Sequence, residues 1–152
     1  MESPKIFLAW SEKRSGQVAD ALSEALKSVF RGAIIPVKSS DFRAGSGWFS
    51  SLQEEMNEAL GAIIIITPEN TMSPWLAFET GYFMIRSAPN DRSSFVCPYL
   101  FDLTIKAFTD PGTFFPYHLL LGHEAHKKGT YKLCSDLSST LSIFPEWKSR
   151  VT

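Results

Sequence analysis

Residues 62–66 read Ala-Ile-Ile-Ile-Ile, between Gly61 and Thr67-Pro68. β-Branched side chains are stiff at χ1 and pack well on a pleated surface. A strand without polar alternation must be covered on both faces, which places it at the centre of a parallel sheet with helices above and below. The flanking segments agree. Ile6-Phe7-Leu8-Ala9-Trp10 is a short apolar run that ends at Ser11, and over about 15–30 Val18, Ala21, Leu22, Ala25, Leu26 and Val29 recur at helical spacing. Gly32 stops that helix, and 33–37 reads as a second strand. A polar, glycine-bearing loop over 38–47 precedes a helix with Trp48, Phe49, Leu52, Met56, Ala59 and Leu60 on its inner face. A further helix is predicted over 74–86 and a fourth strand over 95–101. The succession βαβαβαβ with short connections implies an α/β fold: a flavodoxin-like open parallel sheet of about five strands, flanked by helices.

From Asp102 to Gly129 the pattern fades. Pro111, Gly112 and Pro116 break any period, and Phe108, Phe114, Phe115 and Tyr117 cluster without one. A loop with a short helix or an edge strand is expected there, then a last helix over about 130–141 with Leu133, Cys134, Leu137 and Leu141 on one face. With 152 residues, 44% of them hydrophobic and 20% charged, the chain suits one domain. That domain is expected over 1–143, with 144–152 a tail or a linker to a domain absent from this chain.

A formal net charge of −1 gives no global attraction for nucleic acid or an anionic membrane, so a bound anion has to be held by a local site. The longest aliphatic run is far below the roughly twenty residues needed to span a bilayer, and Met-Glu-Ser-Pro-Lys lacks a signal-peptide core. Cys97 and Cys134 show no metal-type spacing and suit a reducing compartment as core thiols. A cytoplasmic protein is expected.

One carboxylate stands out. Ser73-Pro74 reads as an N-cap and first helical residue, and the helix that follows, Pro-Trp-Leu-Ala-Phe-Glu-Thr-Gly-Tyr-Phe, has Glu79 as its single acid. Its neighbours three and four residues away are Trp75, Leu76, Tyr82 and Phe83, none of them a cation. A carboxylate among aromatic rings without a counter-ion loses solvation, which raises its pKa and marks a functional position. The alternative is that Glu79 points through a gap to water.

In open α/β sheets ligands bind at the carboxyl ends of the strands. Trp10-Ser11, the 38–47 loop and the 67–75 segment converge there, together with Glu79 and Trp75. A planar heterocycle can stack on Trp48 or Trp75, and helix N-termini with Lys38, Arg43 or Arg14 can hold phosphates. Other constellations carry less. His118, His123, Glu124 and His126 lack the helical His-Glu-x-x-His spacing, Gly45-Ser-Gly47 is followed by no Gly-Lys-Ser/Thr, and no nucleophile elbow surrounds Ser11. No metal or cofactor is called for.

Lys5-Ile-Phe-Leu-Ala-Trp-Ser11, Ser39-Ser-Asp-Phe-Arg-Ala-Gly45 with Trp48 after it, Ile63-Ile-Ile-Ile-Thr-Pro-Glu-Asn70 and Ser73-Pro-Trp-Leu-Ala-Phe-Glu79 together resemble a Toll/interleukin receptor (TIR) domain, most of all the bacterial TIR proteins of antiphage defence. The resemblance covers roughly 4–101 in order. It implies an NAD+ glycohydrolase that releases nicotinamide plus ADP-ribose or a cyclic product, with NAD+ as substrate and Glu79 catalytic on a Trp-x-x-x-Glu motif begun by Trp75. It further implies substrate contacts from Trp10, Ser11, Asp41, Arg43 and Trp48, and activation by self-association under a sensor domain or protein. Two other classes stay open: a non-catalytic TIR–TIR scaffold module, and a nucleoside deoxyribosyltransferase-like enzyme, whose related sheet also presents a glutamate at this edge.

Overall fold

The computed structural model describes residues 3–38, 48–86, 95–109, 114, 116–143 and 147–148, with Trp48 described by its backbone. In chain order the elements are β1 (Lys5–Ala9), α1 (Lys13–Phe30), β2 (Ile35–Lys38), α2 (Trp48–Glu58), β3 (Gly61–Ile66), α3 (Pro74–Arg86), β4 (Phe95–Leu100), α4 (Ile105–Phe108), a 3-10 turn (Tyr117–Leu119), β5 (His123–Glu124) and α5 (Lys127–Thr140). The five strands form one parallel sheet in the order β2-β1-β3-β4-β5.

The isoleucine run is the middle strand, and all six residues of β3 are buried. Alternation sends its side chains to two different layers. Ile63 and Ile65 join Ile6 and Leu8 under α1 and α5, against Ala19, Leu22, Leu26, Leu133 and Leu137. Ala62, Ile64 and Ile66 join Phe7 and Ala9 under α2 and α3, against Leu52, Met56, Leu76 and Phe83. Gly61 opens β3 beside Phe95, where a Cβ would lie 2.1 Å from the Phe95 carbonyl oxygen, so only glycine lets β3 and β4 meet in this register.

Several boundaries move from their expected places. β2 starts at Ile35 and includes Pro36, which is tolerated because β2 is an edge strand paired with β1 alone. The α1 helix closes with Arg31 already left-handed at φ 47°, one residue before Gly32. The 102–129 segment holds α4, the 3-10 turn and β5, whose pairing with β4 is two residues long. α5 starts at Lys127 because His126 is its N-cap: Gly129 N donates to His126 Nδ1 at 2.9 Å. Histidine is outside the usual N-cap set, which explains the later start expected from sequence.

Past α5, Trp147 is fully buried, its ring 5.7 Å from Phe30 and 5.5 Å from Tyr131. The chain is thus tied back onto α1 and α5 at this point. No helix among the described residues is long and apolar enough to cross a membrane.

Candidate functional site

The α3 helix starts where the sequence says it should. Leu76 N donates to Ser73 Oγ at 3.2 Å, capping the first turn ahead of Pro74. The buried residues of α3 are Leu76, Glu79, Thr80 and Phe83, the spacing of a core-facing stripe, so Glu79 occupies a position where folding alone would select an aliphatic residue. Thr80 disposes of its hydroxyl by donating to Leu76 O at 2.7 Å.

Glu79 has no such outlet. It is 0% exposed, and both carboxylate oxygens are buried without a hydrogen bond of normal geometry. The alternative in which Glu79 reaches water through a gap is therefore overturned. Burial pushes its pKa up to about 8; the Trp75 indole one turn earlier works against that rise, and the like charge of Glu55 on α2 adds to it. Tyr117, from the 3-10 turn, is also 0% exposed, with its hydroxyl buried and unpartnered. Burial pushes the phenol up to about 12, and the charge of Glu79 contributes in the same direction. Glu55 on α2, Trp75 on α3 and Tyr117 on the 3-10 turn are thus tied to Glu79 through its charge.

Sequence reasoning missed Glu55 and Tyr117. Glu55 was detectable, since it lies three residues after Leu52 and four before Ala59, at the border of the apolar stripe of α2. Tyr117 carried no usable signal: it sits in an aromatic cluster without a period, and tertiary folding alone brings it to the layer of Leu76 and Phe83.

The chain leaves β1 toward β2 on one side and β3 on the other, so the topological switch lies between β1 and β3. Its carboxyl edge is closed by a polar knot. Asn70 Nδ2 donates to Ser11 O at 3.0 Å and to Ile65 O at 2.9 Å, while its Oδ1 accepts from Thr67 N at 2.9 Å. Ser73 Oγ donates to Ser11 Oγ at 2.9 Å, and Ser15 Oγ donates to Ile65 O at 3.1 Å. Ser11 therefore sits at the expected edge and is joined directly to the N-cap of the Glu79 helix. Above the knot, the Arg14 guanidinium bonds both Glu69 and Asp102, the latter at 3.1 Å, and lies 5.4 Å from the Phe101 ring centroid.

The remaining expected contacts divide. Trp75 is half-buried beside Glu79 and stacks on Phe78 at 5.2 Å and 28°, so one face of its ring is already taken. Trp10 lies in the opposite layer, packed with α1: a Cβ on Gly16 would sit 2.9 Å from its ring, and Lys38 Nζ lies 4.5 Å from its centroid. The structure does not bring Trp10 to Glu79. Trp48 is the first residue of α2, while Asp41 and Arg43 lie outside the described residues. Of the histidines, His123 bonds Asp136 at 2.6 Å and His126 caps α5; among the described residues no group of three or more His, Cys, Asp or Glu could hold a metal ion. Cys97 and Cys134 are free and buried, their thiols pushed up to about 12 and about 11 by burial. A cleft of about 490 Å³ opens near the ends of β4 and β5, lined in part by Asp102, Thr104, Glu124 and His126, and does not include Glu79.

The sheet order and the two helical layers define a flavodoxin-like α/β fold. Among solved structures, the chain is similar to the TIR domains in the structure of the activated Roq1 resistosome directly recognising the pathogen effector XopQ, with a TM-score of 0.52 and 16% identity over 99% of this chain and 82% of that one. That likeness is one of fold. No family model and no curated protein matches the sequence.

Proposed function

We propose that this domain is an NAD+ glycohydrolase in which Glu79 is the catalytic carboxylate. The observation that carries the reading is the burial of Glu79 at a core-facing position with no hydrogen bond of normal geometry to either oxygen and a pKa of about 8. Such a group costs the fold stability, and perturbed carboxyls of this kind concentrate at functional sites. The nature of the perturbation favours a cationic substrate. An opposite charge within about 4–6 Å favours the ionised carboxyl by one to three pKa units. The pyridinium of NAD+ would supply that charge and return Glu79 to the carboxylate near neutral pH.

Glycoside cleavage ordinarily takes two carboxyls, one to protonate the leaving oxygen. Nicotinamide needs no proton, because it departs with the bonding pair as a neutral pyridine. Positive charge then develops on the ribose, and a single carboxylate in a low-dielectric site stabilises it. Addition of water at the anomeric carbon, with loss of a proton, gives ADP-ribose; attack by an adenine nitrogen of the same molecule gives a cyclic product.

Self-association belongs to the same proposal. Phe78 and Phe49, at 47% and 40% exposure, present adjoining rings 6.3 Å apart beside Trp75, a surface suited to a second copy. Trp75 and Phe78 share α3 with Glu79, so assembly on this surface would act on the helix that carries the carboxylate. A sensor domain or protein that drives assembly, and a setting in bacterial antiphage defence, are proposed from the family resemblance.

The test is release of free nicotinamide from NAD+ by the purified chain at high concentration, followed by chromatography, with Glu79→Gln alongside. The variant is expected to lose about 100-fold or more of the rate, the scale for removing one electrostatic stabiliser of a transition state. Equal turnover by both would sink the proposal.

A further inference from the structure

Glu79 and Tyr117 are each 0% exposed, and each carries buried oxygen without a hydrogen-bond partner. Tyr117 packs in the same layer as Leu76 and Phe83, the residues three before and four after Glu79 on the buried face of α3. Phenols are seldom buried without a partner, because the O–H loses its water and gains nothing in return. Here the orphaned acceptor and the orphaned donor lie on the same side of the sheet, and the charge of Glu79 pushes the Tyr117 phenol up.

We propose that Tyr117 is the positioning residue for Glu79: its phenolic O–H donates to the Glu79 carboxylate when that group ionises, and so fixes which oxygen is left to face the substrate. While Glu79 is neutral, neither group is committed to the other. On ionisation the carboxylate becomes a strong acceptor, and charge-assisted hydrogen bonds of this kind are shorter and roughly twice as strong as neutral ones. Tyr117 remains protonated, because the same charge disfavours the phenolate. Trp75 on α3 favours the anion from one side, and Glu55 on α2 opposes it from another; Tyr117 would be the donor that answers Glu55.

The inference deepens the NAD+ glycohydrolase reading, but its test does not depend on turnover. The Glu79 side-chain carbonyl carbon is followed by NMR through a pH titration of isotope-labelled protein, with Glu79→Gln to assign the signal. Tyr117→Phe keeps the ring and removes only the donor, so the packing stays. A hydrogen bond to a charged group corresponds to about one pKa unit, and the Glu79 midpoint is expected to rise by roughly that amount in the variant. Glu55→Gln removes the like charge and is expected to move the midpoint the other way, which separates the two effects from general loosening. A midpoint unchanged in Tyr117→Phe, or lowered by it, overturns the proposal. If nicotinamide release is absent from the wild type while the midpoint still rises in Tyr117→Phe, the pairing stands and the glycohydrolase reading fails.

Discussion

Replacing Glu79 by glutamine should make the protein more stable, by an amount that depends on pH. The carboxyl moves from an ordinary value of 4.5 to about 8 on folding. Its folded-state pKa is raised, so the favourable contribution is fully present below pH 4.5 and is lost as pH climbs through 8. Between those values the unfolded chain releases a proton that the folded chain retains, and stability falls by about 1.4 kcal/mol per pH unit. Glutamine has nearly the same shape and no charge to desolvate, and it does not titrate. The two proteins should therefore unfold at similar denaturant concentrations near about pH 5, whereas near about pH 7.5 the variant should be ahead by on the order of 4 kcal/mol. Urea unfolding of both proteins at several pH values measures the gap. A gap that stays constant with pH, or a wild type that gains on the variant as pH rises, would refute the reasoning, since Glu79 would then be paired or hydrated in the folded state.

The polar knot and the sheet centre give two more expectations. Asn70→Ala removes three hydrogen bonds at the β1/β3 edge and leaves Thr67 N and two carbonyls to find other partners. A loss of about 2–4 kcal/mol by chemical denaturation is expected, and a change below about 0.5 kcal/mol would mean the knot is not formed in solution. Gly61→Ala forces a Cβ to within 2.1 Å of the Phe95 carbonyl, so β3 and β4 must separate there, and the melting temperature should fall by at least about 5 °C. An unchanged melting curve would contradict the register of these strands.

How far the sequence disclosed this arrangement depended on the range of the interaction involved. The isoleucine run and the helical stripes are local signals set by burial, and they located every strand up to Phe95 and both faces of the sheet. The Ser73-Pro74 cap is equally local, and its hydrogen bond to Leu76 N is in place. Glu79 was legible because it breaks an apolar stripe, though the stripe alone left open whether it reached water. What was hidden depends on contacts distant in sequence. Tyr117 joins the layer of Leu76 and Phe83 only in the folded domain, and Asn70 becomes the centre of the knot only once β1 and β3 are paired. The place of the Trp10 ring was hidden for a related reason: the residue follows β1 as expected, and its ring packs against α1 at Gly16, in the opposite layer.

The single guanidinium of Arg14 spans the start of α1, the β3–α3 connection through Glu69 and the end of β4 through Asp102. These ion pairs are solvent-exposed, whereas the knot is held by neutral hydrogen bonds. The Debye length falls from about 8 Å at physiological ionic strength to about 3 Å at 1 M. Added salt should thus unfasten the rim while leaving the knot as it is, so ionic strength acts on how firmly these three segments are tied together, separately from the stability of the fold.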